Sequence, residues 1–412
     1  NGGNTVYDMH SATRKSFDMD TAELAFKRLA DEVFDHGGTG SNHSAYEASG
    51  ALFNILCIEN DSIRDVYFDT FMNGTPNQDG FHTILNTIKT NDHLWPESFT
   101  YGKVTHEVVL HLLNVVDRYR DSLNLVNTHR STLKGAFLYQ NMKYPNKTAA
   151  IRMGDSRRVK KISCENLYLK VLAIAHRRSM NVYKNLAIQR IQGLYNDEQS
   201  FIPSIENQGL EWENPTKLFW GIDIDLENHS ETVEYHSSAK FPHAGIGVLR
   251  NYNCENREEH GLMGFIGGAH YVHSHLTGIE MELYGSGMVM GAGSGDPKAS
   301  STRSSDVYRN YHRIYAGHNT VIVNGDSKGT HPGSWKWDNI LYQDKSEIIG
   351  IEPEINMDQT NSDGPFYPVS DNFSFVTVEL DDKVNDALQQ RTLSIIRTSE
   401  TTGYYLDIFR SK

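Results

Sequence analysis

Apolar residues recur at helical spacing through the first half of the chain. In the segment 98–119, Val104, Val108, Leu112 and Val116 follow one another at four-residue intervals, which is the pattern of one buried helix face. Similar spacing predicts helices at 20–34, after the capping-box sequence Asp20-Thr-Ala-Glu, and at 43–58, 62–72, 80–89, 123–141 and 165–195. Successive helices joined by short polar segments predict stacked helical hairpins, in a solenoid or a toroid.

The pattern changes after 214–221, and from about 232 short runs alternate apolar and polar residues. Asn324-Gly325-Asp326 is a hairpin-type turn signal. The strand-like runs, separated by Gly, Asn and Asp, are 233–236, 246–252, 262–266, 278–284, 288–290, 319–324, 340–343, 346–351, 373–380, 390–397 and 404–409. Helices followed by strands predict an α+β multidomain fold, with a helical domain at 1–228 and an antiparallel β-sandwich at 229–412.

Composition narrows the classes of partner. The net charge of −13 argues against a nucleic-acid partner, and we expect no membrane partner because no apolar run is long enough to span a bilayer. The three cysteines are too few and too scattered for a disulfide framework. The chain starts Asn-Gly-Gly and stops directly after a strand-like run, so we expect a trimmed piece of a longer protein. No pattern indicates an oligomeric state.

Three histidines lie within six residues, in His270-Tyr-Val-His273-Ser-His275, just before the alternating run 279–284. In an extended chain His273 and His275 point to the same face. Such a pair suits a metal site or a proton-transfer site, although two exposed strand histidines are an equal alternative. His318 precedes another apolar run, and together with His275 it could contribute to a tetrahedral metal site.

Two segments of the helical half could also carry chemistry. Gly37-Gly-Thr-Gly-Ser-Asn42-His43 delivers an amide and an imidazole to a helix start, unless Ser41 or Asn42 is only an N-cap. Trp95-Pro-Glu97-Ser-Phe-Thr-Tyr101-Gly102 places a tyrosine one turn into a helix. Because glycine inside a helix costs about 1 kcal/mol against alanine, Gly102 indicates that another group approaches this backbone closely.

An ordered set of motifs gives the chain a resemblance to the heparinase II/III-like polysaccharide lyases, a group that includes alginate and oligoalginate lyases. The resemblance runs from about residue 20 to 412 and implies an (α/α) toroid, incomplete here, followed by an antiparallel β-sandwich. It also implies helices before residue 1 and strands after 412. The motifs are Asn42-His43, Pro96-Glu-Ser-Phe-Thr-Tyr101-Gly102, Met153-Gly-Asp155-Ser156, Phe241-Pro-His-Ala-Gly245-Ile-Gly-Val-Leu-Arg250, Gly268-Ala-His-Tyr-Val-His273-Ser-His275 and Ala316-Gly-His318-Asn319-Thr-Val-Ile-Val-Asn-Gly325.

The resemblance implies β-elimination on a uronic acid in an acidic polysaccharide, with alginate ahead of ulvan and heparin-type chains, in a secreted or periplasmic bacterial enzyme. The C6 carboxylate must be neutralised, a base must remove the C5 proton, and an acid must protonate the departing oxygen. By resemblance, Asn42 and His43 hold the carboxylate, Tyr101 is the general acid, and in syn elimination also the base. His273 is the base on the opposite side. We expect substrate contacts from Glu97, Arg250, Tyr308 and Tyr311.

The same resemblance matches His275 and His318 to metal positions, with zinc as the expected ion. The chain departs from the family pattern because Thr277 and the segment 290–293 stand where the zinc-binding members carry aspartates. Asp296 is then the nearest acidic residue and the candidate third ligand. A metal here is expected to organise the site, because the elimination needs no metal-bound hydroxide.

Two other functions stay open. A glycoside hydrolase on an (α/α) toroid needs two carboxylates, and Glu97 with Asp155 is the only pair to nominate. A non-catalytic glycan-binding protein would explain the missing metal aspartates. The joint presence of Asn42, His43, Tyr101 and His273 argues against that second alternative.

Overall fold

The computed structural model describes residues 5–90, 93–145, 150–152, 154–156, 164–196, 238–241, 245–268, 275–291, 293, 306–325, 346–353, 370–382 and 385–412. The chain forms two compact units, Asn1–Leu85 and Asn86–Lys412. The predicted domain boundary at 228/229 lies outside the described residues and stays a prediction. None of the described helices is long and apolar enough to cross a membrane.

The first unit opens with a hairpin that the sequence did not predict, β1 Thr5–Asp8 paired antiparallel with β2 Thr13–Ser16. Helices α1 Met19–His36, α2 Asn42–Leu56 and α3 Asp61–Asn73 follow, and α4 Phe81–Thr90 begins in this unit. The capping-box prediction was wrong by two residues. The carboxylate of Asp18 accepts from the amides of Asp20 and Thr21, so Asp18 is the N-cap.

The helices of the second unit are α5 Phe99–Tyr119, α6 Leu125–Thr128, α7 Arg130–Leu138, α8 Glu165–Arg177 and α9 Asn181–Asn196. The prediction of one helix at 123–141 was wrong. Asn124 adopts a left-handed conformation (φ 52°) and His129 a non-helical one (φ −124°, ψ 44°), so the segment breaks into short helices. The predicted helix at 165–195 is likewise two helices, divided at Ser179 (φ 53°).

The described strands of the second unit form two antiparallel sheets. The five-stranded sheet runs in chain order through β3 Ala239–Phe241, β4 Ile246–Asn251, β5 Leu262–Gly267, β6 Glu280–Gly285 and β7 Met288–Met290. The four-stranded sheet has the order β11-β10-β9-β8, from β8 Glu347–Glu352, β9 Phe373–Asp382, β10 Ala387–Arg397 and β11 Gly403–Ser411. One apolar core joins the sheets, built from Leu249, Leu262, Ile266, Ile279 and Met281 of one and Val376, Val378, Leu380, Leu393 and Ile395 of the other.

The predicted strand at 319–324 was wrong, because this segment forms bends and turns. The side-chain amide of Asn319 donates to the carbonyls of Met281 and Gly291, which fixes the segment beside β6 without a strand ladder. The predicted turn is present: Asn324 (φ 58°) and Gly325 (φ 73°) both occupy the left-handed region. The predicted strands at 233–236 and 340–343 lie outside the described residues.

Candidate active site

The polar face of β6 is buried rather than solvated. Met281 points into the apolar core, while Glu280 and Glu282 alternate with it and are 1% and 0% exposed. A buried carboxylate is strongly disfavoured unless it is hydrogen-bonded or paired with a positive group. The partners of these two carboxylates therefore define what this face of the sheet does.

His275, just before β6, is paired with a carboxylate from the helical half of the chain. Its Nε2 lies 2.9 Å from Oδ1 of Asp155, and both side chains are completely buried. Gly154 (φ 57°) makes the turn that presents Asp155. The hydroxyl of Tyr308 donates to the same carboxylate oxygen. The amide of Leu276 donates to the carbonyl of Arg313 at 2.9 Å, which holds the two segments together.

His318 is paired with β6 itself. Its Nδ1 lies 2.9 Å from Oε1 of Glu280, and both side chains are 1% exposed. The amide of Met281 donates to the carbonyl of Asn319 at 3.2 Å, which keeps the His318 segment against the strand. Gly293 closes the other side, because a Cβ there would lie 1.8 Å from Oε1 of Glu280.

The imidazoles of His275 and His318 lie close together, and in each of them one ring nitrogen has no hydrogen-bond partner among the described residues. Their ring centroids are 5.4 Å apart at an interplanar angle of 66°. Nδ1 of His275 and Nε2 of His318 are buried and have no hydrogen-bond partner among the described residues. Burial lowers the pKa of His275, against the opposing effect of Asp155. Burial therefore favours a neutral imidazole at His275.

This arrangement matches what a metal-binding histidine needs, namely a carboxylate on one nitrogen and a free lone pair on the other. The described residues supply two such donor atoms, Nδ1 of His275 and Nε2 of His318. Within the described ranges, no set of three His, Cys, Asp or Glu side chains converges as a metal site. Asp296, the expected third ligand, lies outside the described residues.

Glu282 has a different task. It accepts from the hydroxyl of Tyr144 at 2.6 Å and from the amide of Gly293 at 3.0 Å, with the amide of Arg152 at 3.4 Å. Its carboxylate thus ties Tyr144, Arg152 and Gly293 to β6. Such charge-assisted bonds are stronger than neutral ones, so Glu282 anchors the segment that carries Asp155.

Tyr101 lies in the first turn of α5, half-buried, and Glu97 is buried just before that helix. The close approach predicted at Gly102 is confirmed: a Cβ there would lie 3.0 Å from the carbonyl oxygen of Trp95. Asp155 serves His275 and Tyr308. The described geometry therefore gives Asp155 a supporting position, and the hydrolase interpretation loses one of its two acids.

In the first compact unit, α2 begins at Asn42, with Ser41 as the N-cap residue but without a side-chain cap bond. Asn42 is buried, whereas His43 is exposed with Nδ1 3.8 Å from Oε1 of Glu47. Of the two expected N-cap candidates, Ser41 therefore occupies the cap position and Asn42 is the first residue of the helix. His273 lies outside the described residues, so its predicted role as a base stays a prediction.

Of the predicted substrate residues, Tyr308 lies beside the paired histidines, with its ring centroid 6.0 Å from that of His275. Arg250 is buried on β4 opposite Met263. Tyr308 is buried and supports Asp155, while Tyr311 is 48% exposed. Their contacts with substrate stay predictions.

Sequence reasoning missed the roles of Asp155 and Glu280. Two signals could have found them. Asp155 belongs to one of the ordered motifs, and the alternation of β6 places Glu280 on the face opposite the core. The missing information was that this second face is covered, which periodicity alone does not report.

Comparison with known proteins gives matches along the whole chain. A family model described as the second domain of endo-acting ulvan lyase matches residues 91–235. An endo-acting ulvan lyase of Formosa agariphila is 38% identical over 99% of this chain, which covers 49% of that protein. The chain thus spans about half the length of the curated relative it matches.

Solved structures agree in fold. The heparan sulfate lyase HepC of Pedobacter heparinus superposes with a TM-score of 0.55 at 16% identity, over 94% of this chain and 48% of that one. A heparinase III protein, the BT4657 gene product, superposes with a TM-score of 0.53 at 14% identity over the same shares. The sequence match, the domain match and the shared fold agree with the ordered motifs. The chain is therefore similar in sequence to an endo-acting ulvan lyase and similar in fold to heparan sulfate lyases.

Proposed function

We propose that the protein is a polysaccharide lyase that cleaves a uronic-acid-containing polysaccharide by β-elimination. The observation that carries this proposal is the 38% identity to an endo-acting ulvan lyase over 99% of the chain. The buried His275–Asp155 and His318–Glu280 pairs add physical support, because paired imidazoles and carboxylates in a covered site are typical of functional centres.

Ulvan replaces alginate as the favoured substrate. The sequence motifs alone placed alginate slightly ahead, but both the matching domain and the curated relative carry ulvan in their descriptions. We also propose endo action, secretion or periplasmic location, and a fold in which the helices belong to an (α/α) toroid and the two sheets to a β-sandwich. The fold similarity to HepC supports that last assignment.

The proposed chemistry assigns one task to each residue. Asn42 and His43 hold the uronate carboxylate and stabilise the charge that develops when the C5 proton leaves. Tyr101 donates a proton to the departing C4 oxygen and, in syn elimination, first removes the C5 proton. His273 is the base for the opposite face. Glu97, Arg250, Tyr308 and Tyr311 remain candidate substrate residues.

His275 and His318 are the proposed ligands of a divalent metal, with zinc favoured and Asp296 as the candidate third ligand. When bound, the ion would supply fixed positive charge and join the two histidine segments. Asp155 and Glu280 orient the two imidazoles and raise their basicity as ligands. Tyr308 holds Asp155 in turn through its hydroxyl.

The test is Tyr101→Phe, with Tyr119→Phe at the other end of the same helix as the matched control. The readout is the ultraviolet absorbance of the unsaturated uronate released from ulvan. We expect Tyr101→Phe to lose about 10³-fold or more in rate, because its hydroxyl moves the proton, and Tyr119→Phe to behave as wild type. Unchanged activity in Tyr101→Phe would overturn the assignment.

The hydrolase alternative is separated by the products. Hydrolysis creates reducing ends with saturated sugars and no new absorbance, whereas elimination creates an unsaturated uronate at each cut. A non-catalytic glycan-binding protein would bind ulvan and release neither product.

A further inference from the structure

A cavity of about 560 Å³ lies in the second compact unit, apart from the paired histidines. It forms where the N-terminal ends of α7 and α9 meet the C-terminal end of α8. Twelve residues line it, and among them are the cations Arg130, Lys134 and Arg178, the hydroxyls of Ser131 and Ser179, and the ring of Tyr183.

The charge of this lining is opposite to that of the chain. The protein carries a net charge of −13, yet none of the described residues that line the cavity is acidic. A carboxylate, Asp117, does lie nearby. It pairs with both Arg177 (Nε to Oδ2, 3.0 Å) and Arg178 (Nε to Oδ1, 2.8 Å), so the positive charge of the lining rests on Arg130 and Lys134.

The backbone adds to the same preference. Ser131 and Asn181 belong to the first turns of helices α7 and α9, so the positive ends of these two helix dipoles lie beside the cavity. Ser131, Ser179 and Asn181 bring further hydrogen-bond donors. Tyr183 is buried and brings a ring of the kind that stacks on sugar faces.

The Arg178 end of the cavity is remote from the proposed acid of the reaction. Asp117 and Tyr101 lie on the same helix, sixteen residues apart. At about 1.5 Å per residue, that is roughly 24 Å along the helix. A group bound beside Arg178 therefore cannot be the sugar on which Tyr101 acts.

We propose that this cavity binds an anionic sugar unit, through its sulfate or carboxylate group, and holds a second stretch of the polysaccharide away from the reaction centre. The identity of the polymer rests on the proposed lyase function. The preference for an oxyanion rests on the cavity itself. Two contacts on one polymer raise the effective concentration of the chain at the enzyme.

The test replaces Arg130 and Lys134 together by glutamine. Arg178 is left alone, because its loss would weaken the pairing of buried Asp117. The matched control replaces Arg118 and Lys89, two exposed helical cations outside the lining, and so makes the same change in net charge. The probe is a saturated heparan sulfate tetrasaccharide, with its desulfated counterpart, titrated calorimetrically under conditions without turnover.

We expect the wild-type and control proteins to bind the sulfated probe and the cavity variant to lose at least tenfold in affinity. A weaker signal from the desulfated probe assigns the contact to sulfate, and an equal one assigns it to the carboxylate. Equal affinity in the cavity variant and the control overturns the proposal, as does an absence of binding to wild type.

Kinetics on ulvan separate this proposal from the proposed function. The cavity variant should show a KM for the polymer raised about fivefold with kcat unchanged, while the control keeps both values. If no protein releases unsaturated product but the cavity variant still loses probe binding, the lyase proposal fails and the anion site stands. An unchanged KM in an active cavity variant overturns its role in holding the polymer.

Discussion

The two sheets share one apolar core but differ on their other faces. In β9 of the four-stranded sheet, buried Val376, Val378 and Leu380 alternate with more exposed residues, so the outer face is a conventional solvated surface. In β6 of the five-stranded sheet, the residues alternating with core Met281 are Glu280 and Glu282, and both are buried. The second face of the four-stranded sheet is therefore exposed to solvent, whereas the second face of the five-stranded sheet carries buried carboxylates.

The difference teaches where to look for chemistry. Burying a carboxylate is costly unless partners compensate, so a face that carries two of them must have been built around those partners. Glu282 is compensated by a tyrosine hydroxyl and backbone amides, which is a structural arrangement. Glu280 is paired with an imidazole whose other nitrogen has no hydrogen-bond partner among the described residues, which is the arrangement that the proposed metal site needs.

The largest expected effect of breaking the buried face comes from Asp155→Asn. The change removes the charge that orients His275 while it keeps the shape, so we expect a 10- to 100-fold loss of rate on ulvan, about the range found for residues that support metal ligands. The measurements are the ultraviolet rate assay and the bound metal per protein, with circular dichroism to check the fold. Full rate and unchanged metal content would show that the pairing has no functional role.

A buried imidazole outside both sheets has no carboxylate partner among its described contacts and so differs from the paired histidines. His106 lies 2.7 Å from the carbonyl oxygen of Thr132 through Nε2, and burial lowers its pKa to about 4. Between about pH 6.5 and pH 4 the imidazole of His106 is therefore protonated in the unfolded state but not in the folded state. Stability should fall as the pH drops from about 6.5 to 4, by roughly 3 kcal/mol from this group.

His111, whose pKa burial also lowers to about 4, adds to the same loss. Urea unfolding at pH 7 and pH 4.5 should show a smaller difference for His106→Gln than for wild type, because the contribution of His106 is gone. Equal differences in the two proteins would contradict the assignment of His106.

Glu282→Gln should destabilise the protein without removing the paired histidines. The neutral glutamine side chain makes weaker hydrogen bonds to Tyr144 and Gly293 than the carboxylate does. We therefore expect the free energy of unfolding to fall by about 2 kcal/mol. Denaturant unfolding measures it, and the rate per folded molecule should stay near wild type. A loss of rate with unchanged stability would instead place Glu282 in the chemistry.

The smallest effect is expected on the solvated face. Thr377 and Thr392 share a hydrogen bond of 2.9 Å between their hydroxyls on neighbouring strands of the four-stranded sheet. Thr377→Val should change stability by less than about 0.5 kcal/mol and leave the rate on ulvan unchanged. A large loss of rate here would erase the distinction between the two faces.

Periodicity predicted much of this fold. The four-residue spacing of α5 and the alternation of β4, β5, β6, β9 and β10 were sufficient, because each strand has one face in a shared core. The hairpin at 5–16 escaped because its strands are short and exposed. The segment 319–324 was predicted as a strand because it is apolar, but an apolar run is also compatible with a packed turn. The side-chain hydrogen bonds of Asn319 favour the turn.

The site was predictable in its histidines but not in their partners. His275 and His318 stood out by type and motif. Asp155 is 120 residues from His275 and Glu280 is 38 residues from His318, and no local pattern encodes a contact over such distances. The tertiary fold supplies those contacts.

The central claim is that this chain cuts a uronate polysaccharide by elimination. The most direct measurement follows ulvan during incubation with the protein, counting new reducing ends and new ultraviolet-absorbing uronates in the same samples. The account predicts that both rise together, one unsaturated uronate for each new reducing end. Reducing ends that accumulate without absorbance would contradict it and identify a hydrolase.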